Sequence, residues 1–506
     1  MPVHSKPLND VSTTPLNPMV FYARFPHISE KIFVNLNIKS LENCREVSKS
    51  WLECIDSQNI LWNEIGKNKN GNKVLAFIFK KGQLKLARYL IKNSSEFKIN
   101  LNAKYKNEYT AFHYACKLGD LEIAEVLVKK SAGFSIDLNA KNEIGQTAFH
   151  LACICDQAKI AEMLVQKSAE FNIDLNSKDR ADMTAFHYAC MLNKLEIAEI
   201  LVKKSAEFKV DLNAKNNFDR TGFQIACIND YSKIAEMLVQ KSAEFSIDLD
   251  AKDESGMTAF HYACFYGHEK ILEMIVQKSA EFNIDLNAKN THGETAFQIA
   301  CINDCLKIAE MLVQKSAECN IDLNAKNRIG FTAFHYACKN GNLKTAEMLI
   351  HRSTEFNIDL NAKDNLVGTA FQIACIKGNS KTAEMLVRKS VEFDIDINAK
   401  DHSGMTAFHY ACKYHKSEIA EMLVRKSDEF NIDLNAKNVF GMTAFHIACL
   451  WGKKDVVEML TNNAESFKID LVAINLKGEN GFQVAKKHGN DDIVNIIKRK
   501  MPKIVL

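Results

Sequence analysis

The chain has 506 residues, with 65 Lys and Arg against 62 Asp and Glu, for a formal net charge of +3. Both signs are interspersed along it, which leaves no basic stripe suited to nucleic acid. Residues 1–20 lack the charged start and apolar stretch of a signal peptide, and no run of about 18 apolar residues occurs anywhere. The sequence therefore predicts a soluble intracellular protein, cytoplasmic and free to enter the nucleus, without a membrane partner.

Residues 1–20 place Pro2, Pro7, Pro15 and Pro18 among Ser, Thr and Asn, a composition that predicts disorder. The next segment, residues 21–66, has a different character. Ile28, Ile32 and Leu36 recur at i, i+4, i+8, and Leu41, Cys44, Val47 and Trp51 line a second face, which predicts three short helices. Such a module is too small to bury a core alone and gains stability from a partner. Its order and spacing resemble the F-box: Phe25-Pro26 at the start, Ile32 and Phe33 in a first helix, Leu36 ending it, Leu41 after a Ser cap, Val47-Ser48 followed by Trp51, then Leu61-Trp62. The resemblance implies docking on the Skp1 adaptor, and through it on a cullin–RING ubiquitin ligase, by Phe25, Pro26, Ile28, Ile32, Phe33, Leu36, Leu41, Val47 and Trp51. Two positions depart from the family: Phe25 replaces a Leu and His27 an acidic residue. The alternative is that these helices merely cap the domain that follows.

From residue 67 to about 500 the chain repeats itself. Thr-Ala-Phe-His-Tyr-Ala-Cys begins at Thr110 and returns with small edits at Thr147, Thr184, Thr221, Thr258, Thr295, Thr332, Thr369, Thr406 and Thr443, each 37 residues on. A fixed period of this size predicts a solenoid, in which each unit buries its apolar faces against its neighbours. In the copy from Asn142, Gly145 suits a turn tip, Thr147 caps a first helix, and Phe149, Ala152 and Cys153 fall on one face. A second helix follows with Ile160, Ala161, Leu164 and Val165 as its packing side. These landmarks resemble the ankyrin repeat. The fold class is thus all-α: an ankyrin-repeat α-solenoid of about 12 copies preceded by a three-helix F-box. The first copy, near residues 71–105, is degenerate, and the last, near 475–500, is a polar cap.

Ala stands where the family has Pro at the first helical position, which leaves helix initiation intact. The segment Ser168-Ala-Glu-Phe171 lengthens the second helix by about one turn. It predicts Phe171, Phe208, Phe245, Phe282, Phe356, Phe393 and Phe430 packed between successive copies, with Asn172 and its equivalents supplying the left-handed exit. The copies also alternate: His-Tyr begins at 113, 187, 261, 335 and 409, and Gln-Ile at 224, 298 and 372.

Of 15 cysteines, ten occupy one position in the repeat (Cys116, Cys153, Cys190, Cys227, Cys264, Cys301, Cys338, Cys375, Cys412, Cys449). They read as buried small apolar residues. His113-x-x-Cys116 has zinc-ligand spacing, yet Gln replaces the His in three copies while the Cys stays, so the His reads as part of a hydrogen-bond ladder. The sequence predicts no metal, no cofactor, no small-molecule ligand and no catalytic residue, hence no enzyme.

What the repeats offer is surface. The turn tips carry Ile144, Met183, Phe218, Met257, Ile329, Phe331, Leu366, Met405, Val439, Phe440 and Met442, and first-helix ends add Tyr231, Phe265, Tyr266, Tyr414 and Trp451. This aromatic and Met enrichment matches interfaces. Met183, Phe218, Met257, Phe331, Met405, Tyr414, Phe440, Met442 and Trp451 are the expected contacts to a protein substrate, with Trp451, Phe440 and Met442 as the hot spot. The two functional expectations are a substrate receptor of a Skp1–cullin–F-box ligase, or an ankyrin scaffold or sequestering module without ligase contact.

Overall fold

The computed structural model describes residues 71–501, except 81, 83, 93, 96–98 and 367. The segments expected as disordered and as F-box, with the nine adaptor-docking residues, lie outside the described residues. The described residues fall into two compact units, one of those up to 189 with 203–210, the other of 190–202 with those from 211 onward. Among the described residues there are helices and turns, and a single isolated bridge between Lys363 and Thr369 in place of any strand.

In the first unit, α1 (Gly71–Lys80) and α2 (Leu84–Lys92) form the degenerate copy. Leu75, Ile78, Phe79, Ala87, Leu90 and Ile91 are its buried side chains, and the Phe79 ring stacks on Tyr114 at 5.2 Å. Next come α3 (Ala111–Leu118) with α4 (Leu121–Phe134), then α5 (Ala148–Ile154) with α6 (Ala158–Phe171). The tip between α4 and α5 needs glycine: Gly145 has φ +84°, and a Cβ there would meet the Arg180 amide nitrogen at 2.8 Å.

Why each first helix starts where it does follows from one constellation. The Thr147 side chain accepts from the His150 amide, and the His150 imidazole accepts the Thr147 N–H at its Nδ1, 3.1 Å away. With Nδ1 an acceptor, the ring proton sits on Nε2, which donates to the Met183 carbonyl in the next copy at 3.0 Å. A single imidazole thus closes a capping box and ties two copies together. His113 does the same toward Gln146.

The second unit repeats the device. His261, His335, His409 and His446 reach the carbonyls of Glu294, Gly368, Met442 and Glu479 at 3.1–3.2 Å. Where Gln replaces His, the amide divides the same labour: Gln224 Oε1 accepts the Thr221 N–H at 2.9 Å while Nε2 donates to the Met257 and Ala251 carbonyls at 2.8 Å. Gln298 and Gln372 match it.

Second helices such as Ser232–Phe245 and Glu269–Phe282 run 14 residues and end on a left-handed residue, Asn283 for example, at φ 52°. The added turn is therefore present, but the phenylalanines at its end are not buried between copies. Phe171, Phe208, Phe245, Phe282, Phe356, Phe393 and Phe430 are only half-buried. In the first unit Lys167 lies 5.9 Å over the Phe171 ring while its ammonium pairs with Glu170 at 2.7 Å, and in the second Lys241 sits likewise on Phe245 and Glu244. The Phe lies on the last turn, where a lysine four residues earlier covers part of its ring. Phe393 is the partial exception, with His351 of the preceding copy 5.4 Å from its ring.

The loops carry two further ladders that the sequence reading did not foresee. Asn139 donates to the Asn172 carbonyl and accepts from the Asp174 amide, both at 2.8 Å, while Lys141 donates to the Lys178 carbonyl at 2.7 Å. In the second unit Asn287 and Lys289 repeat this toward Asn320, Asp322 and Lys326. Asp250 breaks the Asn series: it still accepts from the Asp285 amide but has no N–H to give, and burial raises its pKa.

The last copy, Gly481–Lys487 and Asp491–Lys500, caps itself with Asn480 and Gln483 in place of Thr and His, and exposes Lys486, Lys487, Lys498, Arg499 and Lys500.

Burial lowers the pKa of the ladder histidines, in His261 from 6.5 to about 4. Between those values the unfolded chain holds more protons, so stability present above 6.5 is lost as pH falls through that window. The denaturation midpoint is expected to fall between pH 7 and pH 5. In a His261→Gln/His335→Gln variant, built on the chain's own Gln copies, the fall is expected to be smaller; an equal fall in urea titrations would refute the assignment.

Candidate protein-interaction surface

Each turn tip from Asn142 to Asn475 is organised by one Asn or Asp. Asn142 Oδ1 accepts from the Ile144 and Gln146 amides at 3.1 and 2.9 Å, and Asp253 from Ser255 and Met257, both at 2.9 Å. Neighbouring tips are then joined through the backbone, as in Thr291 N to Ser255 O at 3.0 Å and Leu476 N to Phe440 O at 3.0 Å. Within this rigid frame the residue directly before the capping Thr faces inward, and residues two or three earlier face out.

Four expected substrate contacts are corrected on this ground. Met183, Met257, Phe331 and Met405 are buried, at 6–8% exposure. Each precedes a His-Tyr copy, and Met257, Phe331 and Met405 pack under that copy's tyrosine. Met257, Tyr262 and Ile299 form one cluster, Phe331, Tyr336 and Ile373 a second, Met405, Tyr410 and Ile447 a third. The Ile in each belongs to the following copy. The alternation of Tyr with Ile or Leu is therefore a packing requirement: one large ring fills the space beside a smaller branched side chain, which two rings could not share.

The tyrosine hydroxyls complete the pairing. Tyr188 donates to Asp179 at 2.6 Å and receives from Gln146 at 2.9 Å; burial, then the Asp179 carboxylate, push its pKa up to about 12. Tyr262 and Tyr410 donate to Asp253 and Asp401, and Tyr336 donates to Glu294 at 2.5 Å. Arg220 reaches the Tyr262 hydroxyl at 3.1 Å. Polar residues before the capping Thr of one copy (Gln146, Arg220, Glu294) thus serve the tyrosine of the next.

Four of the other five expected contacts are at the surface, and the fifth, Met442, packs partly against the cluster of Met405, Tyr410 and Ile447. Phe218, Tyr414, Phe440 and Trp451 are exposed, Phe440 and Trp451 by 64% and 53%, and Met442 is half-buried. Ile144, Ile329, Leu366, Val439, Phe265 and Tyr266 are exposed as well, whereas Tyr231 is half-buried. Phe218 lies under the Arg220 guanidinium at 5.3 Å. Phe440 and Met442 line one groove of about 250 Å³ with Leu450, Leu476 and Val484, rimmed by Lys477, Glu479, Lys487 and His488. Tyr414 and Trp451 do not line it. Lys413 brings those two together, its ammonium 5.3 Å from Tyr414 and 5.6 Å from Trp451. Leu450, Leu476 and Val484 were missed because they lie in copies whose patterns read as ordinary repeat or cap.

The repeated His and Cys do not form a ligand pair. Both imidazole nitrogens are committed to the ladder, and burial pushes the ten repeat thiols well above their usual range, away from the thiolate a metal needs.

Stacked helix pairs with shared caps and a surface of tips define a repeat protein of protein interaction. The model of the family "Ankyrin repeats (3 copies)" matches residues 49–142, 132–211, 208–290, 282–364 and 356–438, and "Ankyrin repeats (many copies)" matches 427–461; the chain belongs to the ankyrin-repeat family. Ahead of the array, residues 24–63 match the F-box domain. Among solved structures, the ankyrin repeat domain of Bcl-3, a member of the IkappaB protein family, is similar at 22% identity over 48% of this chain and 100% of that one, with a TM-score of 0.41. The comparison with curated proteins returned no match.

The two classes of tip residue should separate in stability measurements. Met405→Ala is expected to cost about 2–5 kcal/mol by opening a cavity, and Phe440→Ala to stay within about 0.5 kcal/mol. Denaturant midpoints of the two variants compare them directly.

Proposed function

We propose that this chain is a substrate-receptor subunit of a Skp1–cullin–F-box ubiquitin ligase, acting in the cytoplasm and nucleus. The observation that carries the reading is the F-box match at residues 24–63 directly ahead of an ankyrin array. Phe25, Pro26, Ile28, Ile32, Phe33, Leu36, Leu41, Val47 and Trp51 dock the adaptor, and the array holds a protein substrate by exposed tip and helix-end residues. The chain does no bond chemistry itself. Its part is to place a substrate lysine within reach of a charged ubiquitin-conjugating enzyme, which favours an array whose copies are locked to one another. Hydrogen bonds across every described junction within each unit support this. Among the described residues no helix is long and apolar enough to cross a membrane, in keeping with work in solution.

Purified Skp1 is expected to be retained by the full chain, and an Ile32→Asp/Trp51→Ala variant to lose at least about tenfold in affinity, since buried apolar anchors dominate such interfaces. No retention by the unaltered chain in a pull-down would leave the scaffold reading in its place. Helix content by circular dichroism shows whether the variant's array remains folded.

A further inference from the structure

We propose that the groove between the last two tips, floored by Phe440, Met442, Leu450, Leu476 and Val484, takes an acidic protein segment anchored by one bulky apolar side chain. This rests on the array being the cargo-binding part, and it names the class of cargo.

Three observations combine. The first is shape: the floor is apolar, about 250 Å³ in volume, and contains the most exposed large side chains of its region, Leu476 at 78% and Phe440 at 64%. That volume accepts one Phe, Leu or Trp side chain with its neighbouring backbone. Rigidity is the second, because Leu476 N donates to Phe440 O at 3.0 Å, and Asn475 holds the turn by accepting from the Lys477 and Glu479 amides at 2.8 and 3.0 Å. Both sides of the groove are therefore set before a partner arrives, which lowers the ordering cost of binding.

Charge decides the kind of partner. Several carboxylates of these copies are occupied, while Glu465, Asp491 and Asp492 are exposed. Glu479 is held by Lys487 at 2.5 Å and by Asn475 at 3.1 Å, which lowers its pKa; Asp455 pairs with His415 at 3.1 Å, Glu458 with Arg499 at 3.5 Å, and Asp470 accepts from the Val472 amide at 3.0 Å. On the rim this leaves Lys477 as a positive group beyond the Glu479–Lys487 pair, with Lys486 exposed one residue before Lys487. Next to groove-lining Leu450 stand Trp451 and then Lys453 and Lys454. An apolar floor with a cationic rim complements an apolar anchor flanked by Asp or Glu, and it repels a basic segment.

The test uses the full chain, immobilised, against a displayed library of random twelve-residue peptides, without adaptor, so that this inference and the ligase reading can fail separately. Enriched peptides are expected to carry a Phe, Leu or Trp flanked by acidic residues. Synthesised and labelled, the best of them should bind by fluorescence anisotropy, weaken with added salt, and lose at least about tenfold with either Leu476→Asp or Lys477→Glu. Both positions are on the surface, and an unchanged thermal midpoint confirms the fold. Enrichment without an acidic bias, no enrichment, or affinities within about twofold in both variants would overturn the proposal. So would self-association that Leu476→Asp abolishes, binding that appears only when residues 502–506 are deleted, or displacement of the peptide by a twelve-nucleotide oligothymidylate.

Discussion

The architecture depends on one imidazole or amide per copy that is bonded at both ends. Its acceptor atom takes the N–H of the capping Thr, and its donor reaches a carbonyl of the following copy. A helix of seven or eight residues is too short to be stable in isolation, so the cap and the junction must be made together. The same arrangement explains why His and Gln interchange and why, from the copy at Thr110 onward, no other residue appears there. Each has an acceptor and a donor at the right separation, and at neutral pH neither carries a charge that burial would penalise.

A second constraint follows from stacking at a fixed 37-residue pitch. Side chains at one repeat position meet their own copies in the neighbours, so two tyrosines in adjacent copies would compete for one volume. Alternating Tyr with Ile or Leu resolves it, and from Gln146 to Phe331 the residue before the capping Thr alternates in step, Met or Phe before a tyrosine copy and Gln146, Arg220 or Glu294 reaching the next tyrosine's hydroxyl; Gly368 and Met442 end that series. The functional consequence is that four of the eleven apolar tip residues are core. What remains outside is sparse and uneven, and it concentrates around Phe440, Leu476, Tyr414 and Trp451. An array that binds a protein needs only such a local cluster, because a few anchors carry most of an interface's energy.

The F-box match stands ahead of ankyrin repeats whose copies, within each unit, are bonded to one another. The loop ladders of Asn139 and Lys141, and of their equivalents in the second unit, add bonds at every described junction on the side away from the caps. Their small individual contributions act in parallel, so bending at one junction strains several bonds together.

By itself the amino-acid order determined the period, the helix pairs, the capping Thr, the exchange of His for Gln and the inert cysteines, because each is local or is repeated often enough to be read against its own copies. The Asn and Lys ladders were present in every Asp-Leu-Asn-Ala-Lys phrase, yet their meaning lay in a partner 33 to 37 residues away. Whether Met405 or Phe440 faced a partner was decided only in three dimensions. Both sit beside a tip glycine, and in turns held alike by Asp401 and Asn438 it is the place after or before that glycine that sends one beneath Tyr410 and the other into solvent. The groove is likewise tertiary, since its floor is assembled from two tips and two first helices whose approach is fixed by packing and by the bonds between copies.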